Sequence, residues 1–421
     1  MPKEKIGFWS AVAIGIGGMV GGGIFAVLGL AVQLSGGATP VAFFFAGIIA
    51  LVTSYSYAKL SVSFPSQGGT VEFLNRAFGT GIFTGSLNVL LWISYVVMLS
   101  LYSYAFGSYS ASFFPHTLQP FYRHVFTTAI ILALTALNLM SAGVVGEVEE
   151  YIVAFKVAIL MFFVIAGMWS IDPSRFHQHI PGIDKLIAGG MIIFLAYEGF
   201  ELIANTAKEV EDLQFLPRAY YTAVGFVVFL YVAVAAVTVG NLPFKEIVEA
   251  RDYALAAAAK PFLGEAGFTL IAIAALLSTG SAINATLYGS ARVSYVIAKY
   301  GELPAFLEKK VWNRPVEGLF LTSALTLIMA NTLNLSNIST LGSAGFLIIF
   351  SAVNLACFKL RKGNAVISLT GAVLCLLALA ELLSVTVRSL TDVAVLSAMI
   401  GGSFVFEVLY RACRKREIKL Q

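Results

Sequence analysis

Charge is what this sequence is short of. Only 12% of its 421 residues are Asp, Glu, Lys or Arg, about half the share found in an ordinary soluble domain. So few charges cannot cover a water-facing surface, which excludes a soluble multidomain enzyme. Cysteine is scarce too. Cys357, Cys375 and Cys413 each sit in or beside an apolar run, so no disulfide framework is implied. Histidine falls only in or beside external connections: His116, His124, His177 and His179. No intramembrane histidine cluster is therefore expected for a metal or a proton wire, and a membrane metallohydrolase is disfavoured. His177-x-His179 is a weak loop signal that suits solvation better than ligation. The densest basic run, Arg411–Lys419, reads as an ordinary flank, with no nucleic-acid footprint. No cofactor is expected. The opening Met1-Pro2-Lys3-Glu4-Lys5 leads into an apolar segment without a small-residue cleavage site, so no removable signal peptide is expected. Pro2 stands where N-myristoylation needs glycine.

What the chain has instead is apolar length. Hydrophobic residues make up 58% of it, its mean hydropathy is +0.86, and runs such as Val41–Val52, Thr127–Met140 and Val157–Met168 recur. With their neutral flanks these approach or reach the ~20 residues that cross a bilayer as helix. The expectation is an all-α, polytopic membrane protein. Apolar windows between charged or Pro/Gly-rich breaks give twelve predicted spans, at 7–34, 38–62, 81–112, 122–141, 148–170, 184–207, 218–240, 262–298, 316–333, 337–359, 364–386 and 391–411. With the N-terminus inside, nineteen of the 27 Lys and Arg fall on the inner side, seven on the outer side, and Lys156 within a span. The bias predicts cytoplasmic termini. The segment Ser66–Thr80 is amphipathic and is expected along the inner interface; the connections 171–183 and 241–261 are expected to be polar and external.

Two spans carry signs of a break. In the first, six of the nine residues from Gly15 to Gly23 are glycine. Gly18-x-x-x-Gly22 fits close helix packing, but packing needs glycine on one stripe and here it occupies every face. Three consecutive glycines destabilise a helix by roughly 3 kcal/mol relative to alanine, and unwound backbone at membrane depth belongs where it is buried or lines a cavity. In the sixth span, Glu198 and Glu201 flank Gly199. Carboxyl groups at that depth point to function; for Glu201, satisfying freed backbone amides is an equal reading. Five spans separate the two breaks, so the second unit starts on the opposite side and is inverted. The units 7–170 and 184–359 would then form a transporter core over 1–360, with two peripheral helices and a basic tail over 361–421.

Lys156 stands about two turns inside the fifth span. Snorkelling along its stem, pairing with Glu147 or Glu150, and proton exchange as a desolvated amine remain open at this point. Lys59, Glu381 and Glu407 lie nearer span ends and read as structural; Glu407 is placed to pair with Arg411 one turn on.

The run Gly17-Gly-Met-Val-Gly-Gly-Gly-Ile-Phe25, the segment Phe194-Leu-Ala-Tyr-Glu-Gly-Phe-Glu201 and the stretch Ser281–Pro304 together resemble the signatures of the amino acid–polyamine–organocation (APC) transporters. The fifth-span lysine is similar to that of the archaeal proton-coupled ApcT-type members. The resemblance implies a LeuT-like fold and a secondary transporter importing amino acids by alternating access, coupled to protons through Lys156, which would lie near Gly17 and Ser281, or Ser278 if the register slips. It implies a substrate carboxylate on the amides of Gly21, Gly22 and Gly23, and an α-amine on carbonyls near Ile16, Met19, Phe194, Ala196 and Tyr197. Side-chain selection would fall to Ser94, Tyr95, Leu195, Glu198, Phe200 and Asn284, with Glu201 structural or gating. Three departures stand out. Glycine replaces the serine or asparagine some relatives carry in the first helix, Leu195 stands where antiporters for basic substrates have tryptophan, and Glu198 takes a place often apolar. The expected partners are an amino acid, protons and the lipid of the cell membrane, for a monomer or homo-oligomer. An exchanger without net proton flux and a nontransporting amino acid sensor are the alternatives. The major-facilitator pattern is missing from Lys59–Thr80, and no channel filter is present.

Overall fold

The structure, a computed structural model, describes residues 5–140, 145–308 and 316–413. Among these residues it is helical throughout, and the only bridge is an isolated parallel one between Ile6 and Val210. The first predicted span is two helices, α1 (Phe8–Met19) and α2 (Gly23–Ser35), parted by a bend at residues 20–22. The chain continues through α3 (Thr39–Ser63), α4 (Thr70–Phe78), α5 (Ile82–Ala111), α6 (Gln119–Met140) and α7 (Val145–Gly167). The sixth predicted span is again divided, into α8 (Ile183–Phe194) and a short α9 (Leu202–Asn205). There follow α10 (Leu216–Asn241), α11 (Phe244–Glu249), α12 (Ala254–Lys299), α13 (Val316–Thr332), α14 (Leu335–Lys359), α15 (Ala365–Thr386) and α16 (Leu390–Cys413).

Ten stretches among the described residues are long and apolar enough to cross a membrane. One of them, Gly23–Ser63, runs α2 into α3, and two apolar helices, α1 and α13, are shorter. The reason is physical. The glycine bend cuts the first predicted span in two, and the 17 residues of α13 extend only about 26 Å, just under a hydrocarbon core.

Burial sorts the helices into layers. α2 is apolar on every side, and almost all its residues are buried, as expected of a helix enclosed by others. α8, α5 and α14 are also largely enclosed, whereas α6 and α16 bury few residues and keep Leu132, Leu137, Phe404 and Val405 exposed. Exposed apolar side chains of that kind suit lipid contact.

Two expectations about the connections change. The amphipathic segment is α4, but it is tucked into the protein rather than laid along its surface: Val71, Glu72, Phe73, Leu74 and Asn75 are all buried. Polar partners make that burial possible. Tyr300 donates to Glu72 Oε2 at 2.9 Å, Arg76 pairs with Glu72, and Asn88 Nδ2 donates to Asn75 Oδ1 at 3.1 Å. The connection 241–261 is largely helical, because α12 begins at Ala254 and kinks at Pro261 and Gly264 (φ 64°). The expected Glu407–Arg411 pair is present. His179 stacks on Phe244 with ring centroids 4.3 Å apart, and no metal-binding group of His, Cys, Asp or Glu occurs among the described residues.

Beyond the end of α12, Asn88 Nδ2 donates to Glu302 Oε2 at 2.6 Å, while the buried Glu302 Oε1 and Asn88 Oδ1 have no partner among the described residues. Burial pushes the Glu302 carboxyl up from 4.5 to about 7, against the opposing pull of the Asn88 hydrogen bond. The fold therefore favours the protonated acid. Stability from this group is full below pH ~4.5 and is lost as the pH rises through ~7, with a span of about 3 kcal/mol. Glu302→Gln is expected to raise the midpoint of thermal unfolding at pH 8.5 and to leave it nearly unchanged at pH 4.5. Equal destabilisation at both pH values would show that burial of the charge is not the dominant cost.

Candidate functional site

The glycine bend frees backbone groups that the interior must satisfy. The Ile16 carbonyl accepts from Val20 N–H at 2.7 Å as α1 closes. Lys156 Nζ donates to the Gly17 carbonyl at 3.0 Å, and the Tyr231 hydroxyl donates to that of Met19 at 2.7 Å. Ser278 Oγ donates to the carbonyls of Val20 and Gly21, at 3.2 and 2.8 Å. Side chains from α7, α10 and α12 thus hold the bend. On its far side α2 opens with Gly22 as an N-cap that has no side chain to offer, so the first-turn amides and the positive end of the helix dipole face the interior.

The second break is built differently. After α8 the chain makes a tight turn over Leu195–Tyr197 and a non-helical stretch at 198–201 before α9. Gly199 has φ 121°, a conformation that favours glycine. Its N–H donates to Glu201 Oε2 at 2.7 Å, and the Tyr95 hydroxyl donates to Glu201 Oε1 at 3.3 Å. Both Glu201 oxygens are engaged in bracing the break.

The two breaks touch through backbone. A Cβ on Gly18 would lie 2.7 Å from the Gly199 carbonyl oxygen, and a Cβ on Gly199 would lie 2.3 Å from the Gly18 carbonyl carbon. The chain ends of the two broken helices are joined as well. Ile6 N–H donates to the Glu209 carbonyl at 2.8 Å, and Glu211 N–H donates to the Ile6 carbonyl at 3.0 Å.

Beside this crossing lies a cavity of about 570 Å³. It runs from Lys5, Ile6 and Ser10 at the N-terminal end of the bundle to Tyr95, Tyr102, Gly17, Gly18, Glu198 and Gly199 at the breaks. Its opposite wall is one face of α12: Ala282, Ala285, Thr286, Gly289, Ser290 and Val293. That spacing repeats every three to four residues and fits a single helical stripe. At the other end the bundle is closed by contacts of α2 and α5. Tyr109 donates to the Phe25 carbonyl at 3.1 Å, Tyr104 donates to Asp252 Oδ2 at 3.3 Å, and Arg123 donates to the Tyr104 hydroxyl.

Of the side chains expected to select a substrate, Tyr95 and Glu198 line this cavity, and so does Gly17. Several others turn elsewhere. Ser94 bonds back to the Leu90 carbonyl at 2.8 Å within its own helix. Asn284 Oδ1 accepts from Asn138 at 2.7 Å. The Tyr197 hydroxyl donates to the Phe43 carbonyl at 3.0 Å. Phe194 and Phe200 pack against Phe350, and Leu195 reaches toward Gly342 of α14. Gly21, Gly22, Gly23 and Ala196 are buried at the break itself, where a Cβ on Gly23 would meet Ala196 Cα at 2.7 Å. Ser281 and Lys156 are buried on α12 and α7. The side chains of Glu147 and Glu150 lie outside the described residues. Tyr102 and the α12 stripe went unassigned in the sequence. Tyr102 lies seven residues after Tyr95, the same face of α5, which is the signal that would have found it.

Two broken helices meeting at a cavity inside an all-helical, membrane-spanning bundle is an arrangement of transporters. A family model for amino acid permeases matches residues 6–406. The chain belongs to this family. It is a multi-pass membrane transporter for small molecules, not an enzyme. An uncharacterized protein of Methanocaldococcus jannaschii is 37% identical over 99% of this permease and 97% of its own length. The inner membrane transport protein YbaT of Escherichia coli is 36% identical over 85% of this permease and 84% of its own length. The branched-chain amino acid permease BcaP of Lactococcus lactis is 25% identical, covering 83% of this permease and 80% of its own length.

Proposed function

We propose that this permease is a secondary transporter that imports amino acids by alternating access, with protons as the coupling ion and Lys156 as their carrier. The carrying observation is the Lys156 ammonium on the Gly17 carbonyl, 3.0 Å away, at a residue that also lines the cavity. A protonated amine ties α7 to the bend in α1. A neutral amine has one donor fewer and no charge, and holds that carbonyl more weakly. Protonation is thereby linked to the position of α1 against the cavity.

Substrate binding follows from the same bend. The amides opening α2 suit a carboxylate, and an ammonium would find carbonyls in the two breaks. Carbonyl contacts at Ile16 and Met19 would compete with Val20 N–H and the Tyr231 hydroxyl, so acceptors near residues 194–197 carry more of this role. Tyr95 and Glu198 face the bound side chain. Ser278 and Ser281 belong to the α12 side of the coupling site, Ser278 through its bonds to the bend.

Twelve crossings, formed by α1 with α2, α8 with α9 and ten further helices, fit two inverted units at 7–170 and 184–359, with α15 and α16 outside them. With cytoplasmic termini in the cell membrane, the cavity would face inward. Uptake into proteoliposomes is expected to follow an imposed pH gradient, acid outside, and to ignore sodium. Sodium dependence without proton flux would overturn proton coupling; counterflow with no net uptake under any gradient would select an exchanger instead.

A further inference from the structure

Among the described residues, the acid in the cavity wall has no cation beside it. The lining holds one carboxylate, Glu198, at the break and one ammonium, Lys5, at the mouth. Glu198 is 5% exposed, and no salt bridge among the described residues includes it. The acid next to it, Glu201, adds to the negative potential there, but its two oxygens are taken by Gly199 N–H and Tyr95. The one membrane-embedded ammonium in this region, on Lys156, is bonded to the Gly17 carbonyl.

An ordinary zwitterionic substrate would not correct this. On the reading above its carboxylate would meet the amides of α2 and its α-ammonium backbone carbonyls, and Glu198 would keep only the neighbouring acid, Glu201, as a partner. Two acids side by side in the interior have no counter-charge, and a cationic ligand group supplies the partner that the fold does not. We propose that this permease selects amino acids with a cationic side chain, and that Glu198 is the residue that receives the second positive charge. The small α12 face opposite, Ala282, Ala285 and Gly289, leaves room for a long, unbranched side chain. The inference rests on the transport reading above and narrows its substrate class.

The test compares L-lysine with L-norleucine, which has the same carbon chain without the terminal ammonium. Equilibrium binding to the purified full-length protein is expected to favour lysine by roughly tenfold or more, the effect of one charge-assisted hydrogen bond. In Glu198→Gln the ratio is expected to fall to near one, and in Glu198→Asp a preference for lysine should return. Unfolding midpoints of the variants establish that each is folded. Equal binding of lysine and norleucine by the unaltered protein overturns the inference alone, as does a lysine preference that survives in Glu198→Gln. Failure to bind either amino acid overturns the amino acid reading, and this inference with it.

Discussion

Lys156→Ala is expected to reduce accumulation of substrate against its gradient to background. Lys156 is 1% exposed and its ammonium is bonded to the Gly17 carbonyl rather than extended to an interface, so snorkelling does not describe its position. Removing it takes away the proposed proton carrier and the charge-assisted bond to the half-buried Gly17 carbonyl, a loss of roughly 1.5–3 kcal/mol. A structural and a coupling role differ in what else changes. A purely structural lysine would, when replaced, lower the unfolding midpoint and slow every mode of transport together. The coupling role predicts that downhill counterflow of substrate outlasts uphill uptake, and that acidifying the outside no longer stimulates the variant. Reconstituted vesicles with and without a pH gradient measure both. If Lys156→Ala still concentrates substrate when driven by the gradient, Lys156 is not the carrier.

The sequence disclosed the helices more fully than it disclosed their rotations. Apolar length and positive charge marked where helices begin and end to within a few residues in most spans, because the bilayer imposes one length on all of them. Glycine density marked the bend at residues 20–22 because no other cause explains glycine on every face of one turn. The bond from Lys156 to Gly17 was legible only through resemblance. Sequence physics left three readings open for that ammonium, and choosing among them needs the crossing of α7 and α1. Ser94, Leu195 and Asn284 show where pattern reading stops. Ser94 lies on the largely enclosed α5 and Leu195 in the buried turn after α8, where apolar periodicity does not distinguish the cavity from the core. Ser94 satisfied itself within α5, and Asn284 found Asn138 on α6. α4 was misplaced for a related reason. Its polar face suggested an interface, but Glu72 and Asn75 spend their polarity on Tyr300, Arg76 and Asn88 inside the protein.

Gly199→Ala is expected to be strongly damaging. Gly199 lies at φ 121°, where a side chain adds roughly 1–3 kcal/mol of strain. Its Cβ would also stand 2.3 Å from the carbonyl carbon of Gly18 and 2.6 Å from the Met19 nitrogen. Those atoms are backbone and cannot rotate aside, and overpacking of that kind costs another ~1–3 kcal/mol. The two costs fall at one point, where the broken helices cross, so relief requires the breaks to separate. Separation would pull Gly199 N–H from Glu201 and carry Ile6 with α9 through the bridge to Val210. Loss of binding and a large drop in the unfolding midpoint should therefore appear together. Gly225→Ala is the matched control: its Cβ would meet nothing within 4 Å, and in the middle of α10 it is expected to be neutral or to stabilise by up to about 1 kcal/mol. A Gly199→Ala protein as stable and as active as the unaltered one would mean that the two breaks do not meet as described. The proposed coupling through α1 would then lose its path, because the crossing at Gly18 and Gly199 is what would let a proton on Lys156 and a substrate at Glu198 act on the same backbone.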